Sequence, residues 1–266
     1  GARAVEFALR SGYRAIDTAL LYGSHGAVAT GIEASGVPRE EIFVVSKVWK
    51  SQLGFEKTAE AVGQMLQELR TEYVDLCLIH WPSVEADDGP GTGVFEIVER
   101  AGAWRALERA VDRGQCRHIG VSNYIHEHLR ELMAYARIPP AVNQIEYHPY
   151  MVDNRTRASC RRYGVAVQAY GSINAHGLLD DAVVRAVAAE AGRSPSQVLL
   201  RWAVEEGVMV LPKSASEERI LANARLWDFE LTSSQHRRLS ALHRDVRTYG
   251  DPYSSPSIGR VLRRRG

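Results

Sequence analysis

Val74-Asp-Leu-Cys-Leu-Ile-His-Trp-Pro82 is a short apolar run that ends on a histidine. Its length and its mixture of leucine and β-branched residues predict a buried strand at Val74–His80. Six similar runs occur along the chain, and each of them predicts a further strand. Working outward, these strands are predicted at Ile42–Ser46, Tyr13–Asp17, Arg117–Ser122, Ala141–Ile145, Val165–Tyr170 and Val208–Leu211.

Longer amphipathic stretches separate these strands, with apolar residues near the 3.6-residue helical period. Such alternation is typical of parallel strands joined by crossover helices. Two more predicted helices, Asp181–Ala191 and Ser233–His243, lie outside the alternation. The alternating helices are predicted at Ala2–Ser11, Lys57–Leu69, Trp104–Arg113, His126–Ala136, Ser194–Glu205 and Glu217–Ala224.

Seven strand–helix units that begin with a helix predict an α/β fold, a (β/α)8 TIM barrel whose first strand is missing before Gly1. An open doubly wound sheet is the alternative, but such sheets usually begin with a glycine-rich turn. The similar stretch Gly89-Pro-Gly-Thr-Gly93 contains a proline and follows no strand directly, so we interpret it as a loop. We expect residues 1–266 to form one domain, with 260–266 as a mobile basic tail.

Composition excludes several classes of function. Of the 266 residues 45% are apolar and 24% are charged, and the net charge is +1, which indicates neither a nucleic-acid nor a membrane-surface partner. No run approaches the roughly 18 apolar residues of a membrane span. The three scattered cysteines, Cys77, Cys116 and Cys160, indicate neither a disulfide framework nor a zinc site. They favour a reducing compartment, and we expect the cytoplasm.

Polar residues follow the predicted strands at the point where each strand ends. One polar residue after a strand is commonly a turn former or a cap, but several together favour a shared site at the C-terminal pole of a barrel. A predicted insertion, Pro82–Gly93, would lie over the same pole. The residues are Asp17, Lys47, His80, Ser122, Asn123, Asn143, Gln144, Tyr170 and Lys213.

Four residues have the chemistry needed to protonate a carbonyl oxygen. A lysine such as Lys47 stabilises a phenolate, so we expect it to lower the pKa of Tyr22 from about 10. Asp17 is a suitable counterion for this lysine, and His80 can donate a hydrogen bond to a substrate oxygen. No side chain carries a hydride, so this chemistry requires a nicotinamide cofactor.

Leu211-Pro-Lys-Ser-Ala-Ser-Glu-Glu-Arg219 is a candidate phosphate-binding segment. It follows a strand, leads into a helix and offers hydroxyl groups and cations near the helix N-terminus. An ordinary capped helix start with surface cations is an equal alternative.

Six motifs in family order resemble the aldo-keto reductase family, and together they span nearly the whole chain. They are Gly12-Tyr-Arg-Ala-Ile-Asp-Thr-Ala19 with Tyr22-Gly23, Val45-Ser-Lys-Val-Trp49, Asp75-Leu-Cys-Leu-Ile-His-Trp-Pro82, Ile119-Gly-Val-Ser-Asn-Tyr124, Val142-Asn-Gln-Ile-Glu-Tyr-His-Pro149, and Leu211-Pro-Lys-Ser214 with Arg219 and Asn223.

The resemblance implies NADPH-dependent reduction of aldehydes and ketones to alcohols, with Tyr22 as general acid in a tetrad with Asp17, Lys47 and His80. It implies a monomer that acts on small carbonyl substrates without a metal. The implied cofactor residues are Ser122, Asn123 and Gln144 at the carboxamide, Tyr170 on the nicotinamide ring, and Lys213, Ser214, Arg219 and Asn223 at the 2′-phosphate end. Trp49 and Trp81 are implied walls of the substrate pocket, with core packing as the alternative, and His148 is expected to be structural.

The chain departs from the family pattern at several positions. His25 stands where the family usually has an acidic residue, and Ala29 replaces a glycine. Ala222 replaces the expected adenine contact, and Gly171-Ser-Ile-Asn174 replaces Ser-Pro-Leu or Ser-x-Leu near the cofactor pyrophosphate. These departures put cofactor affinity in doubt more than the chemistry.

Two other functions compete with the enzyme hypothesis. One is an inactive NADPH-binding regulatory barrel, which the presence of all four tetrad residue types argues against. The other is a metal-dependent barrel hydrolase or isomerase built on Asp17, His80, Glu146 and His148, which lacks histidines in a ligand-type spacing.

Overall fold

Seven parallel strands form one curled sheet in the computed structural model, and their order in the sheet follows the sequence. The structure describes residues 1–83, 93–173, 175, 177–250 and 252, so the stretch around Gly89-Pro-Gly91, most of the predicted insertion and the predicted tail lie outside the described residues. The strands are β1 Ala15–Asp17, β2 Phe43–Val48, β3 Val74–Ile79, β4 Cys116–Ser122, β5 Val142–Glu146, β6 Ala166–Tyr170 and β7 Met209–Val210.

Ten α-helices among the described residues surround this sheet. One α-helix lies between each two consecutive strands from β1 to β6, and two α-helices follow each of the strands β6 and β7. The helices are α1 Ala2–Arg10, α2 His25–Ser35, α3 Phe55–Leu69, α4 Gly93–Asp112, α5 His126–Leu132, α6 Asn154–Tyr163, α7 Ala182–Ala191, α8 Pro195–Glu205, α9 Glu217–Ala224 and α10 Ser233–Ser240. None of them has the length and hydropathy that a membrane span requires.

All seven predicted strands are present, and α7 and α10 are the two helices predicted outside the alternation. Two helices were not predicted. Glycines interrupt the apolar pattern of α2, and one of them, Gly31, is needed because a Cβ there would lie 2.6 Å from the Ala2 carbonyl oxygen of α1. In α6 arginines dominate, so its pattern is too polar to signal a buried face.

The hydrophobic core consists of three clusters. One cluster packs the first strands against the helices before β5, with Trp104 fully buried, and a second packs β5 to β7 around Trp202. A small cluster of Val45, Leu76, Leu78 and Val142 is separate from both. Because side chains alternate along a strand, Lys47 lies on the same face of β2 as Val45.

The ring of strands is open on one side within the described residues. There, β1 pairs only with β2, and β7 pairs only with β6. The predicted α/β fold is therefore confirmed, with a curled parallel sheet of seven strands. The additional strand that would complete a (β/α)8 barrel stays a prediction.

The cysteine prediction is wrong, because Cys77 and Cys116 form a disulfide. They lie on the adjacent strands β3 and β4, and their Cα atoms are 6.0 Å apart. The separation of 39 residues in sequence concealed this proximity. Cys160 is free and buried. The cysteines therefore no longer support a reducing compartment.

Candidate active site

Parallel strand ends bring the four predicted tetrad residues together at one pole of the sheet. Asp17 is the last residue of β1, Lys47 lies near the end of β2, and His80 directly follows β3. Pairing between these neighbouring strands sets Asp17 opposite Val45 and Lys47 opposite Leu78. Tyr22 ends a short 3-10 turn, Leu20–Tyr22, that follows β1.

Lys47 is fully buried and paired with Asp17. Its Nζ donates hydrogen bonds to the Asp17 carboxylate and, at 3.0 Å, to the Thr18 carbonyl oxygen. Burial lowers the pKa of Lys47 from its usual value, while the Asp17 carboxylate opposes that shift. The ion pair thus favours a charged ammonium in a site that removes it from water.

Tyr22 lies between Lys47 and His80 and remains 52% exposed. The Lys47 Nζ is 5.2 Å from the centroid of its ring, and the His80 ring meets it edge-on at 5.7 Å. Partial burial and the Asp17 carboxylate raise the pKa of Tyr22 to about 12. The expected lowering of this pKa is therefore wrong, because burial of the phenol and the nearby Asp17 carboxylate both disfavour the phenolate.

His80 is a neutral side chain in this site. Burial, with a contribution from the Lys47 charge, lowers its pKa to about 3. Its Nδ1 is buried and has no hydrogen-bond partner among the described residues, and its ring packs edge-on to Trp49 at 5.1 Å. A neutral imidazole has one N–H, and here that proton can point from Nε2 toward the open side of the site.

The residues expected at the carboxamide lie beside the tetrad and bond to one another. Ser122 Oγ donates to the Gln144 carbonyl oxygen at 2.8 Å, and the Asn123 amide nitrogen donates to the His80 carbonyl oxygen at 2.9 Å. Tyr170 donates its hydroxyl proton to Asn123 Oδ1 at 2.6 Å. Asn123 has a positive φ of 62°, which directs its amide back to this cluster.

Gln144 links this group directly to the tetrad and also bonds Gln168, a residue that the sequence analysis missed. Its Nε2 donates to Asp17 Oδ2 and to Gln168 Oε1, both at 2.7 Å. Both amide protons are used in this way, which leaves Oε1 to accept a bond from a carboxamide N–H. Gln168 lies in the middle of β6, so no strand-end signal marks it in the sequence.

The predicted phosphate segment lies after β7 and is open to solvent. Lys213 and Arg219 are exposed, and Ser216 caps α9 by accepting from the Arg219 N–H at 3.4 Å. Arg219 Nε donates to Ser214 Oγ at 3.4 Å, so cation and hydroxyl already converge. Asn223 is 5% exposed on α9. This arrangement fits a phosphate ester at a helix N-terminus.

The segment after α10 contributes a side chain that was not predicted. The Tyr249 ring meets the Tyr170 ring edge-on at 5.5 Å, and a Cβ at Gly171 would lie 2.8 Å from Tyr249 Cε2. A Cβ at Gly250 would lie 3.0 Å from Trp81 Cη2. Trp81 and Tyr170 therefore border the same mouth, and glycines at positions 171 and 250 permit the close approach.

Glu146 and His148 hold this segment in place. The Glu146 carboxylate accepts from the Thr248 N–H at 2.6 Å, from the Tyr249 N–H at 3.3 Å and from His148 Nε2 at 3.0 Å. Burial opposes the lowering of the Glu146 pKa, but these hydrogen bonds outweigh it. Two candidate ligands of the metal hypothesis, Glu146 and His148, are thus hydrogen-bonded to each other. In the described part of the chain no three His, Cys, Asp or Glu side chains converge as a metal site would require.

A model of the aldo/keto reductase family matches residues 2–244. The chain belongs to this family. It is accordingly an oxidoreductase that acts on aldehyde or keto groups of small substrates.

Characterised aldo/keto reductases cover most of its length. A glyoxal reductase of Bacillus subtilis is 39% identical over 248 residues, which cover 93% of this chain and 85% of that protein. A 9,11-endoperoxide prostaglandin H2 reductase of Trypanosoma cruzi is 40% identical over 254 residues, with 94% and 85% covered. The crystal structure of a Bombyx mori aldo-keto reductase in complex with NADP is 32% identical and matches with a TM-score of 0.84, covering 92% of this chain and 83% of that one.

Proposed function

We propose that this aldo/keto reductase reduces aldehydes and ketones to alcohols with NADPH, and that Tyr22 is the general acid. The observation that carries the proposal is the contact set of Asp17, Lys47, Tyr22 and His80 at the strand ends. When bound, the cofactor supplies the hydride that no side chain provides. The NADP complex of the Bombyx mori relative supports this cofactor.

The tetrad residues divide the work of protonating the carbonyl oxygen. Tyr22, with a pKa near 12, is fully protonated at neutral pH and donates its phenolic proton. Lys47, held charged by Asp17, stabilises the phenolate that forms. His80 stays neutral and orients the substrate oxygen through its Nε2–H. Trp49, against the His80 ring, and Trp81 form apolar walls of the pocket.

The cofactor residues form two groups. Near the tetrad, the free Oε1 of Gln144 accepts from the carboxamide, whose other contacts come from Ser122 and Asn123, and Tyr170 stacks on the ring. Beyond β7, four residues hold the 2′-phosphate end: Lys213, Ser214, Arg219 and Asn223. Two exposed cations near a helix N-terminus favour NADPH over NADH.

We also propose that residues 1–266 form one domain and that an eighth strand closes the ring between β7 and β1. The unpaired edges of these two strands within the described residues support the eighth strand. A structure in which β1 and β7 pair directly would contradict it. A cytoplasmic location and a monomeric state remain predictions, and light scattering on the purified protein tests the second.

The proposal is tested by NADPH oxidation across a panel of small aldehydes, α-dicarbonyls including glyoxal, and ketones. We expect turnover with at least one aldehyde, measured by the loss of NADPH absorbance. NADPH binding without oxidation of any member of the panel would instead favour a regulatory barrel. Activity that depends on added zinc or manganese and not on NADPH would revive the metal-dependent alternative.

A further inference from the structure

Behind the tetrad lies a hydrogen-bonded row of three polar side chains, two of them buried, that the proposed reaction does not use. His25, the first residue of α2, is 1% exposed and Ser46 on β2 is fully buried. His25 Nε2 lies 2.9 Å from Ser46 Oγ, and its Nδ1 lies 2.9 Å from Glu68 Oε2 on α3. Glu68 reaches the surface, and Gln64 donates to its second oxygen at 2.8 Å.

The chemistry of the partners fixes the protons in this row. A carboxylate only accepts, so His25 Nδ1 carries the proton and donates to Glu68. Burial lowers the pKa of His25, with Glu68 opposing and Lys47 contributing to the shift, which keeps the imidazole neutral near pH 7. Its Nε2 therefore accepts the Ser46 hydroxyl proton.

The order of a serine, a histidine and a carboxylate is also that of a hydrolase triad. Ser46 has no exposed surface, however, so no substrate carbonyl reaches its Oγ. These three residues therefore do not form a second reaction centre, and their two hydrogen bonds have another role.

The positions of His25 and Ser46 in the sequence show which segments these two hydrogen bonds connect. His25 follows Tyr22 by three residues, and Ser46 directly precedes Lys47. Because side chains alternate along β2, Ser46 points to the helix layer while Lys47 points to the site. On the site's side, Lys47 bonds the Thr18 carbonyl oxygen at 3.0 Å, and the Thr18 and Ser24 hydroxyls lie 3.2 Å apart. The segment 18–25 is thus fastened to β2 from both sides.

We propose that His25 is a positioning residue that holds the Tyr22 segment in register with Lys47 through its bond to Ser46. The inference rests on the proposed role of Tyr22 as general acid. The Glu68 bond serves mainly to fix the tautomer and orientation of the imidazole. Displacement of a catalytic group by about 1 Å can lower a rate by 10²-fold, so a loss of this tie affects turnover.

Two amide substitutions separate the two bonds of His25. In His25→Gln the amide reaches the place of Nε2 and retains the Ser46 bond, whereas in His25→Asn it reaches only the place of Nδ1 and retains the Glu68 bond. We expect kcat to fall about 10-fold in His25→Asn and to stay within about 3-fold of wild type in His25→Gln. The dissociation constant for NADPH, measured by fluorescence, should not change in either variant.

Ser46→Ala tests the same bond from the other side and should lower kcat about as much as His25→Asn. Ser240→Ala is its matched control, because it removes a hydroxyl that accepts from buried Trp202 at 3.0 Å, far along the chain from the tetrad. It should lower the melting temperature comparably and leave kcat unchanged.

Two results would overturn the inference. Wild-type kcat in Ser46→Ala is one, and equal kcat in His25→Asn and His25→Gln is the other. Tyr22→Phe, assayed in parallel, separates this failure from failure of the proposed function. If Tyr22→Phe loses turnover while His25→Asn keeps it, only the positioning role is wrong. If Tyr22→Phe retains turnover, the proposed general acid is wrong.

Discussion

The tetrad and the phosphate segment lie at the ends of strands of the same sheet but differ in how completely they are built. The tetrad is held by bonds within the protein, from Gln168 through Gln144 and Asp17 to Lys47. In the segment after β7 the Ser216 N–H donates to Ser214 Oγ at 3.1 Å, but the hydrogen bonds of Arg219 are 3.4 Å long and both cations, Lys213 and Arg219, face solvent. The proposed catalytic residues are therefore already held in place by the protein, whereas the proposed phosphate-binding side chains are held by fewer contacts.

Removing the proposed general acid should lower turnover at the tetrad and leave NADPH binding unchanged. We expect Tyr22→Phe to lower kcat by about 10²–10⁴-fold, the usual contribution of a general acid. The dissociation constant for NADPH should remain within error, because the lost hydroxyl lies away from the phosphate segment. Stopped-flow turnover and fluorescence titration measure the two quantities. Comparable losses in both would mean that Tyr22 serves binding instead.

Removing a cation from the segment after β7 should weaken NADPH binding selectively. Arg219→Ala is expected to weaken NADPH binding about 10- to 100-fold, since a charge-assisted hydrogen bond contributes about 1.5–3 kcal/mol. NADH binding should change little. Arg225→Ala, past the other end of α9, is the matched control. Equal weakening of both cofactors would refute recognition of the 2′-phosphate.

The disulfide supports the strands on the tetrad's side. A cross-link over 39 residues stabilises a fold by about 3–4 kcal/mol in the chain-entropy account, so Cys77→Ala with Cys116→Ala should lower the melting temperature. Cys160→Ala controls for the loss of a buried sulfur. A decrease no larger than about twice that of the control would show that the cross-link itself adds nothing.

The smallest effect is expected from pH. The proposed mechanism needs a neutral His80 and a protonated Tyr22, and their pKa values of about 3 and about 12 lie far from neutrality. His80 gains its proton only as pH falls toward 3, so kcat/KM should stay level from pH 8 to 5. An acid limb near pH 6.5 that disappears in His80→Gln would contradict a neutral, desolvated imidazole.

Much of this organisation is predictable from sequence because polar residues mark the strand ends. Short apolar runs were sufficient to predict all seven strands, and the polar residues that follow them were sufficient to predict that Asp17, Lys47 and His80 lie at one pole. It was silent where the signal lies elsewhere, as for Gln168 in mid-strand and for α2, whose glycines interrupt the helical period.

The remaining errors depend on distances that one-dimensional patterns do not contain. The neighbouring positions of β3 and β4 made the Cys77–Cys116 disulfide possible, and burial together with the Asp17 charge reversed the expected direction of the Tyr22 pKa. Neither the disulfide nor the direction of the Tyr22 pKa can be predicted without the three-dimensional fold. Tyr249 was missed because its neighbour Tyr170 is 79 residues away in the chain.

Gly171 and Tyr249 should behave as a co-evolving pair. A side chain at position 171 would collide with the Tyr249 ring and would also have to tolerate a φ of 74°. Gly171→Ser is therefore expected to be tolerated only together with a smaller residue at position 249. Engineers who exchange substrate loops within this family would need to move the two positions as one unit.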